Sequence, residues 1–232
     1  MEHAQAPAIE AGRLYARQLA AESIARGDPT GWFEPLYAAA EQGATTVPWA
    51  DLAPYPGLVS ALAGVPGRGR ALVVGCGLGD DAEHVASLGF TTVAFDVSPT
   101  AIASARRRFP RSAVEYVTAD LLSPPGIWAR AFDLVVEVFT LQVLTGGARR
   151  IAAAQLARMV APGGRLLLIA RARDEHEDPG QMPWPLTRAV IESFRRYGLA
   201  EQFIVDFLDD GLVRRWRALF TLPVWPDLLA SP

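Results

Sequence analysis

The sequence is poor in residues that form disulfides or bind metals. Its 232 residues include one cysteine and three histidines. A single cysteine excludes an internal disulfide, and no cysteine–histidine spacing typical of a metal site occurs. Lysine is absent, so all 22 basic residues are arginine, which we attribute to the base composition of the coding DNA. We therefore expect neither a disulfide-stabilised domain nor a bound metal.

A long apolar segment and a surplus of basic charge are also lacking. No apolar run reaches about 18 residues, and there is no signal-peptide pattern. The formal net charge of −3 argues against a nucleic-acid backbone as a partner. Hydrophobic residues make up 50% of the chain, which is enough to bury one sizeable core. We expect a soluble cytoplasmic protein that binds neither nucleic acid nor membrane, and the sequence leaves its oligomeric state open.

An apolar run that breaks into a glycine-rich turn is the most informative segment. Residues 70–80 read Arg-Ala-Leu-Val-Val-Gly-Cys-Gly-Leu-Gly-Asp, and apolar residues recur at helical spacing over 82–88. This pattern predicts a strand, a tight loop and a helix, which open a sheet that binds nucleotide-like ligands. A phosphate-binding loop would carry its third glycine where this chain has Asp80. Because helix N-termini attract anions, an acid there disfavours a pyrophosphate and predicts a nucleoside without phosphates.

Acidic residues also end the next three predicted strands. Asp96 lies 21 residues after Gly75 (96 − 75), close to the spacing at which an acid meets ribose hydroxyls. Asp120 and Glu137 end the two strands that follow it. The three strands are predicted at residues 91–95, 114–118 and 133–138. Because parallel strands end at the same edge of a sheet, these carboxylates predict one ligand site.

The rest of the chain predicts an α/β protein that begins with helices and ends with a hairpin. Ser98-Pro99 is typical of a helix start, and Gly198 is typical of a helix end. Asp209-Asp-Gly211 between two apolar segments is typical of a hairpin. Helices are predicted at residues 8–26, 33–41, 57–63, 99–108, 148–159 and 187–197, a turn at 161–164, and further strands at 165–170, 202–208 and 212–221.

Together these motifs resemble the class I S-adenosylmethionine-dependent methyltransferases over about residues 45–222. The motifs that carry the resemblance are Leu72-Val-Val-Gly-Cys-Gly-Leu-Gly-Asp-Asp81, Phe95-Asp-Val-Ser-Pro99, Thr118-Ala-Asp-Leu121, Phe132-Asp-Leu-Val-Val-Glu137 and the segment 156–169 with its Ala-Pro-Gly-Gly. The resemblance implies a Rossmann-like, mostly parallel sheet of seven strands with an antiparallel C-terminal hairpin and helices on both faces. It also implies S-adenosylmethionine as the cofactor and S-adenosylhomocysteine as its product.

The resemblance further implies which residues contact the cofactor. The glycine loop would contact its amino acid part, Asp96 the ribose and Asp120 the adenine amine, and the segment from Glu137 would line the methionine side. Asp80 is explained equally well as a first-turn acid favoured by the helix dipole. The residues implied in cofactor binding are Trp49, Gly75, Cys76, Gly77, Gly79, Asp80, Asp96, Val97, Asp120, Leu121, Glu137, Val138 and Phe139.

The N-terminal segment is similar to the entry segment of thiopurine, thiol and halide methyltransferases. The similarity lies in Gly31-Trp-Phe33, Thr45-Thr-Val-Pro-Trp-Ala-Asp51 and Pro54-Tyr-Pro-Gly-Leu58. We expect residues 1–56 to form a helical extension that covers the active site, and 57–232 to form the methyltransferase core. Aromatic rings from this extension can hold a sulfonium cation and exclude water, although they are also ordinary core residues. The residues predicted to bind substrate are Trp32, Phe33, Tyr37, Arg171 and Arg173.

The function implied is methyl transfer to a small-molecule nucleophile by in-line displacement. A thiol or halide is favoured, and an amine or a phenol is an alternative that a base would assist. His176 is a weak candidate for that base, because four acids surround it in a charged loop. Arg171 and Arg173 either bind an anionic acceptor or pair with those acids, and we favour the pairing. Two other classes stay open: an NAD-type oxidoreductase and a non-catalytic binding protein with this fold.

Overall fold

The computed structural model describes residues 2–224, so that residues 225–232 of the predicted core lie outside it. The helices are α1 (Glu2–Ala25), α2 (Phe33–Glu41), α3 (Pro56–Leu62), α4 (Asp80–Ser87), α5 (Pro99–Arg108), α6 (Gly146–Met159) and α7 (Arg188–Glu192). The strands are β1 (Arg70–Val74), β2 (Thr91–Asp96), β3 (Glu115–Thr118), β4 (Phe132–Val138), β5 (Val160–Arg171), β6 (Ala200–Leu208) and β7 (Arg214–Thr221). None of the helices within residues 2–224 is long and apolar enough to cross a membrane.

The seven strands form one sheet in the order β3-β2-β1-β4-β5-β7-β6. Strands β1 to β5 pair in parallel, whereas β7 pairs antiparallel with both β5 and β6. This confirms the predicted fold class and its C-terminal hairpin. The order reverses between β1 and β4, and in such sheets ligands bind beyond the carboxyl ends of the strands at that point.

The sheet is buried on both faces, as β1 illustrates. Leu72 and Val74 belong to a core cluster that α6 and α7 cover. Ala71 and Val73 belong to the opposite cluster, which α3, α4 and α5 cover. Because successive side chains of a strand point to opposite faces, a strand covered on both sides reads as the continuous apolar run seen in the sequence.

The first two helices pack across the carboxyl edge of the sheet. Ala16 of α1 and both Trp32 and Leu36 at the start of α2 form a third apolar cluster. Val143, from the 3-10 helix after β4, and Met182, from the loop after β5, complete it. The N-terminal helices therefore rest on loops that follow the central strands.

Polar contacts fasten α2 to the start of α5. The Glu34 carboxylate accepts hydrogen bonds from the Ser98 hydroxyl at 2.5 Å and from the Thr100 hydroxyl at 2.6 Å. It also accepts the Thr100 N–H at 3.1 Å. About two turns further along each helix, Glu41 pairs with Arg107. A carboxylate at a helix N-terminus is stabilised by the helix dipole, so that Glu34 caps α5 from a neighbouring element.

The predicted turn at residues 161–164 is wrong, because these residues lie within β5. Between Phe132 and Leu134 the β4–β5 register shifts, and the extra residues form a bulge. Gly163 N–H donates to Leu222 O at 2.8 Å, and Leu222 N–H donates to Gly164 O at 3.0 Å. The segment thus extends the antiparallel pairing of β5 with the chain to Leu222, just beyond β7. A Pro-Gly-Gly sequence does not reveal such a long-range pairing.

Helix α1 begins at Glu2, six residues before its predicted start at 8. The predicted helix at residues 187–197 is α7 followed by a 3-10 helix, Ser193–Tyr197. Gly198 ends it with φ +85°, as the glycine predicted.

Candidate active site

A cavity of about 880 Å³ opens at the carboxyl edge of the sheet. Its wall comes from α1, α2, the 43–56 loop, the ends of the parallel strands and the β6–β7 hairpin. The sequence-predicted site residues that line it are Phe33, Tyr37, Trp49, Gly75, Cys76, Gly77, Asp80, Asp96, Val97, Asp120, Leu121, Val138, Phe139 and Arg171. These fourteen residues come from seven separate segments of the sequence and meet in one space.

The glycine loop after β1 presents bare main chain to this cavity. Gly75 and Gly77 have φ of +59° and +52°. A Cβ on Gly75 would lie 2.5 Å from Thr140 Oγ1, and one on Gly77 would lie 2.9 Å from Tyr37 Oη. Both sterics and φ therefore require glycine at these positions. Cys76 between them is buried, which raises the pKa of its thiol well above the ordinary value.

Asp96, at the end of β2, is held against this loop. One carboxylate oxygen accepts the Gly77 N–H at 3.0 Å, and the other accepts the Ser98 N–H at 3.0 Å. The side chain is buried, and burial raises its pKa to about 6. An ionised carboxylate has about four lone-pair sites, so two main-chain donors leave capacity for two more at the cavity wall.

Asp80 and Asp81 at the start of α4 differ in their partners. Asp80 forms a two-pronged ion pair with Arg108, at 2.6 and 2.7 Å. Asp81 accepts the Tyr55 N–H at 2.7 Å, and burial raises its pKa to about 6. Asp81 also lines the cavity, and sequence analysis did not assign it a role. Its contact with Tyr55, 26 residues away, is not visible in a local motif.

Glu137 is not brought to the cavity. Its carboxylate is fully buried inside the turn after β4, where it accepts the N–H groups of Thr140 at 2.6 Å and Leu141 at 2.9 Å. Its second oxygen has no hydrogen-bond partner among the described residues. Burial raises the pKa of Glu137 to about 7. This acid therefore shapes the turn rather than the cavity wall.

That turn holds Phe139 in an unusual conformation at the middle of the sheet edge. Phe139 has φ +65°, a region that costs a bulky side chain about 1–3 kcal/mol. Its ring lies between the Arg215 guanidinium, 4.6 Å from the centroid, and the Tyr55 ring at 4.8 Å. Strain of this kind persists where surrounding contacts hold it, and it clusters at functional sites.

The aromatic residues of the N-terminal segment divide between core and cavity. Trp32 is 1% exposed, stacks on Phe33 at 3.9 Å and does not line the cavity. Phe33, Tyr37 and Trp49 do line it. Trp49 Nε1–H donates to Tyr37 Oη at 3.2 Å, which places both polar groups near the glycine loop.

Three other predicted residues also lie away from the cavity. Gly79 begins α4 with φ +96°, and a Cβ there would meet Tyr116 Oη at 2.5 Å. The Arg173 guanidinium binds main-chain carbonyls of its own loop, at Glu177 O (2.7 Å) and Pro185 O (3.1 Å). His176 is exposed on that loop. Within the described residues, no group of three or more potential ligands could hold a metal.

The favoured pairing of Arg171 with the acids of this loop is wrong. Asp174 pairs with Arg214 at 2.8 Å. The Arg171 guanidinium has no ion pair or hydrogen bond with the described residues, although its main-chain N–H donates to Gln142 Oε1 at 2.7 Å. Arg171 therefore reaches the cavity without a direct ion pair among the described residues, although the charge of Asp209 acts on it.

Sequence analysis also missed further arginines in the cavity wall. They are Arg13 and Arg17 of α1, and Arg215 and Arg217 of β7. Their spacing was the available signal, since residues four apart share a helix face and residues two apart share a strand face. The meeting of these two faces with Arg171 is a tertiary feature.

A glycine loop without a phosphate site, followed by a buried acid at the end of the second strand, defines an adenosyl-binding edge. The antiparallel hairpin beyond β5 is what the methyltransferase sheet adds to a plain doubly wound fold. Fold and site together define the class I S-adenosylmethionine-dependent methyltransferases.

Comparison with known proteins gives the same class. Residues 71–164 match the family described as a methyltransferase domain. The chain is 28% identical over 196 residues to a probable thiol methyltransferase 2 of Arabidopsis thaliana, which covers 83% of this chain and 81% of the relative.

Two solved structures are similar over most of the chain. The N-methyltransferase NodS of Bradyrhizobium japonicum in complex with S-adenosylhomocysteine has a TM-score of 0.64 and 25% identity, over 81% of this chain and 98% of that chain. A structure from work on the conversion of a disulfide bond into a thioacetal group during echinomycin biosynthesis shares the fold, with a TM-score of 0.69 and 23% identity, over 83% of this chain and 94% of that chain.

The fold, the site and these comparisons support a class I S-adenosylmethionine-dependent methyltransferase, with S-adenosylmethionine as its cofactor. The described residues fit that group, because the Asp96 carboxylate has free lone pairs at a cavity whose glycine wall has no room for a Cβ. The NAD-type oxidoreductase is thereby set aside as a function.

Proposed function

We propose that this enzyme transfers a methyl group from S-adenosylmethionine to the sulfur of a small-molecule thiol. The Arabidopsis relative, a probable thiol methyltransferase, supports the choice of acceptor atom. The residues that line the cavity support a sulfur acceptor independently, because the wall lacks the side chains that usually serve as a general base.

The observation that carries the proposal is the absence of a neutral base on the acceptor side. None of the described side chains that line the cavity is a histidine, and the chain has no lysine. Two carboxylates line the hairpin side: Asp209, which is paired with Arg215 at 2.7 Å, and Asp210. An acceptor that loses its own proton suits such a site, and a thiol ionises near pH 8.5, well below an alcohol or an unperturbed phenol.

We propose roles for the cofactor side from the placement of each residue. The free lone pairs of Asp96 accept the ribose hydroxyls, and Asp120 accepts the adenine amine between Val97 and Leu121. The main chain at 75–77 receives the amino acid part without steric hindrance from a Cβ. Asp80 contributes negative charge near this loop, but both of its carboxylate oxygens already accept hydrogen bonds from Arg108.

The protein's share of the reaction is alignment and exclusion of water. When bound, S-adenosylmethionine supplies the activated methyl group. Phe33, Tyr37 and Trp49 provide aromatic faces that stabilise a sulfonium cation and keep the cavity dry. We therefore propose that the helical extension, residues 1–56, covers the active site, since α1, α2 and the following loop supply these walls.

A panel of acceptors with labelled methyl donor tests the proposal. Purified enzyme is supplied with aliphatic and aromatic thiols, iodide, amines and phenols, and methylated products are identified by mass spectrometry. We expect thiols to be methylated at least tenfold faster than the others. Turnover of amines or phenols alone would reject the sulfur acceptor, and turnover of a macromolecule alone would reject the small-molecule acceptor. Calorimetric binding of S-adenosylhomocysteine verifies that the enzyme is competent.

A further inference from the structure

Five arginines line one half of the cavity. Arg171 comes from the end of β5, Arg215 and Arg217 from β7, and Arg13 and Arg17 from α1. They belong to elements on the β5–β7 side of the sheet or to the helix above it. The five arginines come from three separate elements, so that the cluster is built by tertiary packing and not by a basic run in the sequence.

Three of these arginines already have acceptors. Arg13 pairs with Glu10 at 3.3 Å, and Arg17 Nε–H donates to Met182 O at 2.8 Å. Arg215 Nε–H donates to Asp209 Oδ2 at 2.7 Å. These contacts hold the guanidiniums in position while leaving several N–H groups of each free, because an arginine has five donors.

Arg171 and Arg217 are the exceptions. The Arg217 guanidinium lies 5.4 Å from the centroid of the Phe207 ring, and its Nε has no hydrogen-bond partner among the described residues. The Arg171 guanidinium is half-buried and has no acceptor among the described residues. Burial lowers the pKa of Arg171, and the nearby charges of Arg215, Arg13 and Arg17 lower it further, whereas the charge of Asp209 raises it. Gathering three like charges around a partly desolvated cation that has no direct anionic partner costs free energy. A bound anion would offset that cost.

We propose that the methyl acceptor carries a carboxylate, and that Arg171 binds it with support from the surrounding arginines. This rests on the proposed thiol methylation, for which it names the substrate class: a mercaptocarboxylic acid. A guanidinium presents a planar fork of donors that matches the two oxygens of a carboxylate. A thiolate or a halide offers a single acceptor atom, so that it cannot accept two parallel N–H groups of the guanidinium as a carboxylate does.

The arrangement also keeps the two ends of the acceptor distinct. The carboxylate binds on the β5–β7 side, and the acids at the ends of β1, β2 and β3 repel it from the cofactor side. The thiol end then points away from Arg171, toward the middle of the sheet edge where Phe139 lies. Arg171 acts here as a specificity-determining residue and takes no part in proton transfer.

Three thiols of matched length test the inference: 3-mercaptopropionate (anionic), 3-mercapto-1-propanol (neutral) and 3-amino-1-propanethiol (cationic). We expect the wild-type kcat/KM to fall in that order. We expect Arg171→Gln to raise KM for 3-mercaptopropionate about 10- to 100-fold, as loss of a charge-assisted contact predicts, and to change KM for the alcohol less than about threefold. Arg165→Gln is the matched control, because it removes the same charge from the middle of β5, six residues before Arg171 and outside the cavity lining.

A binding measurement keeps this inference separate from the proposed function. Calorimetry of 3-mercaptopropionate into the enzyme saturated with S-adenosylhomocysteine reports affinity without turnover. We expect weaker binding to Arg171→Gln and unchanged binding to Arg165→Gln. Equal binding of acid and alcohol, or equal affinity of wild type and Arg171→Gln, would overturn the carboxylate site. Methylation of both thiols at equal rates would overturn it and leave the thiol function intact, whereas tight carboxylate binding with no thiol turnover would overturn the function alone.

Discussion

The two halves of the sheet edge carry opposite charge, and β4 divides them. Beyond β1, β2 and β3 lie the carboxylates of Asp80, Asp81, Asp96 and Asp120. On the β5–β7 side lies the cluster of five arginines, which outnumber the hairpin acids Asp209 and Asp210. The acidic half suits a cationic sulfonium and sugar hydroxyls, and the basic half suits an anionic acceptor. One cavity can thus orient two different ligands by charge before any specific contact forms.

The halves also differ in how visible they are in the sequence. The acids lie at the ends of three successive strands, so that local patterns predicted the positions of Asp80, Asp96 and Asp120. The arginines are separated by up to 204 positions (217 − 13) and share no motif. A cofactor site built on successive strand ends is readable from one sequence, whereas an acceptor site built from a helix face and a hairpin is not.

The largest expected effect is on the acidic half. Asp96→Ala removes the carboxylate that we assign to the ribose, and we expect S-adenosylhomocysteine to bind about 100-fold more weakly, because two charge-assisted hydrogen bonds are lost. Asp80→Asn should change this affinity less than about threefold, since its carboxylate is already paired with Arg108. Isothermal calorimetry measures both, and thermal unfolding verifies that the variants are folded. Wild-type affinity in Asp96→Ala would refute the ribose assignment.

A smaller effect is expected on stability in the basic half. Arg215→Leu leaves Asp209 without its partner and removes the cation from the Phe139 ring. Because the two side chains of this pair are only 10% and 13% exposed, we expect the free energy of unfolding to fall by about 2 kcal/mol.

Urea unfolding measures this change. The matched control is Arg195→Gln, which breaks an exposed pair with Glu201 and should cost less than about 0.5 kcal/mol. Equal losses in the two variants would show that Arg215 is no more than a surface partner.

The smallest expected effect is on the pH dependence of stability, through Glu137 of β4, the strand that divides the two halves. The pKa of Glu137 is raised from 4.5 to about 7 by burial, so the folded state prefers its protonated form. Its contribution to stability is therefore fully present below about pH 4.5 and is lost as the pH rises through 7. We expect Glu137→Gln to flatten the decline of the free energy of unfolding between pH 5 and pH 8, by about 1–2 kcal/mol in total.

Urea midpoints at four pH values across that range check the slope. Asp81 and Asp96, whose pKa values are each raised to about 6, act in the same direction and leave a residual slope in the variant. Parallel curves for wild type and variant would show that Glu137 does not titrate within the range.

Sequence analysis predicted most of the fold and about half of the site, for identifiable reasons. Apolar runs, Ser98-Pro99 and the Asp-Asp-Gly hairpin are local features, and they placed the strands to within a few residues except at β5. That strand was predicted too short because the pairing of Gly163 and Gly164 with Leu222 joins distant parts of the chain.

The errors within the site have the same origin. Glu137 ends a strand as Asp96 does, yet it folds back onto the main chain of the next turn. Trp32 sits in an aromatic-rich segment, yet it packs against α1 and not against the cavity. Which way a side chain points at a loop depends on neighbours that the surrounding ten residues do not specify.

The link between Glu34 and the start of α5 couples ligand occupancy to the stability of the N-terminal helices. Ser98 donates its hydroxyl to Glu34 and its N–H to Asp96, so one residue joins both carboxylates. Any ligand that immobilises the Asp96 turn also reduces local opening of α2, because Ser98 connects the turn to Glu34 of that helix. Amide hydrogens of α2 should accordingly exchange more slowly once the nucleoside product is bound, although none of them need touch it.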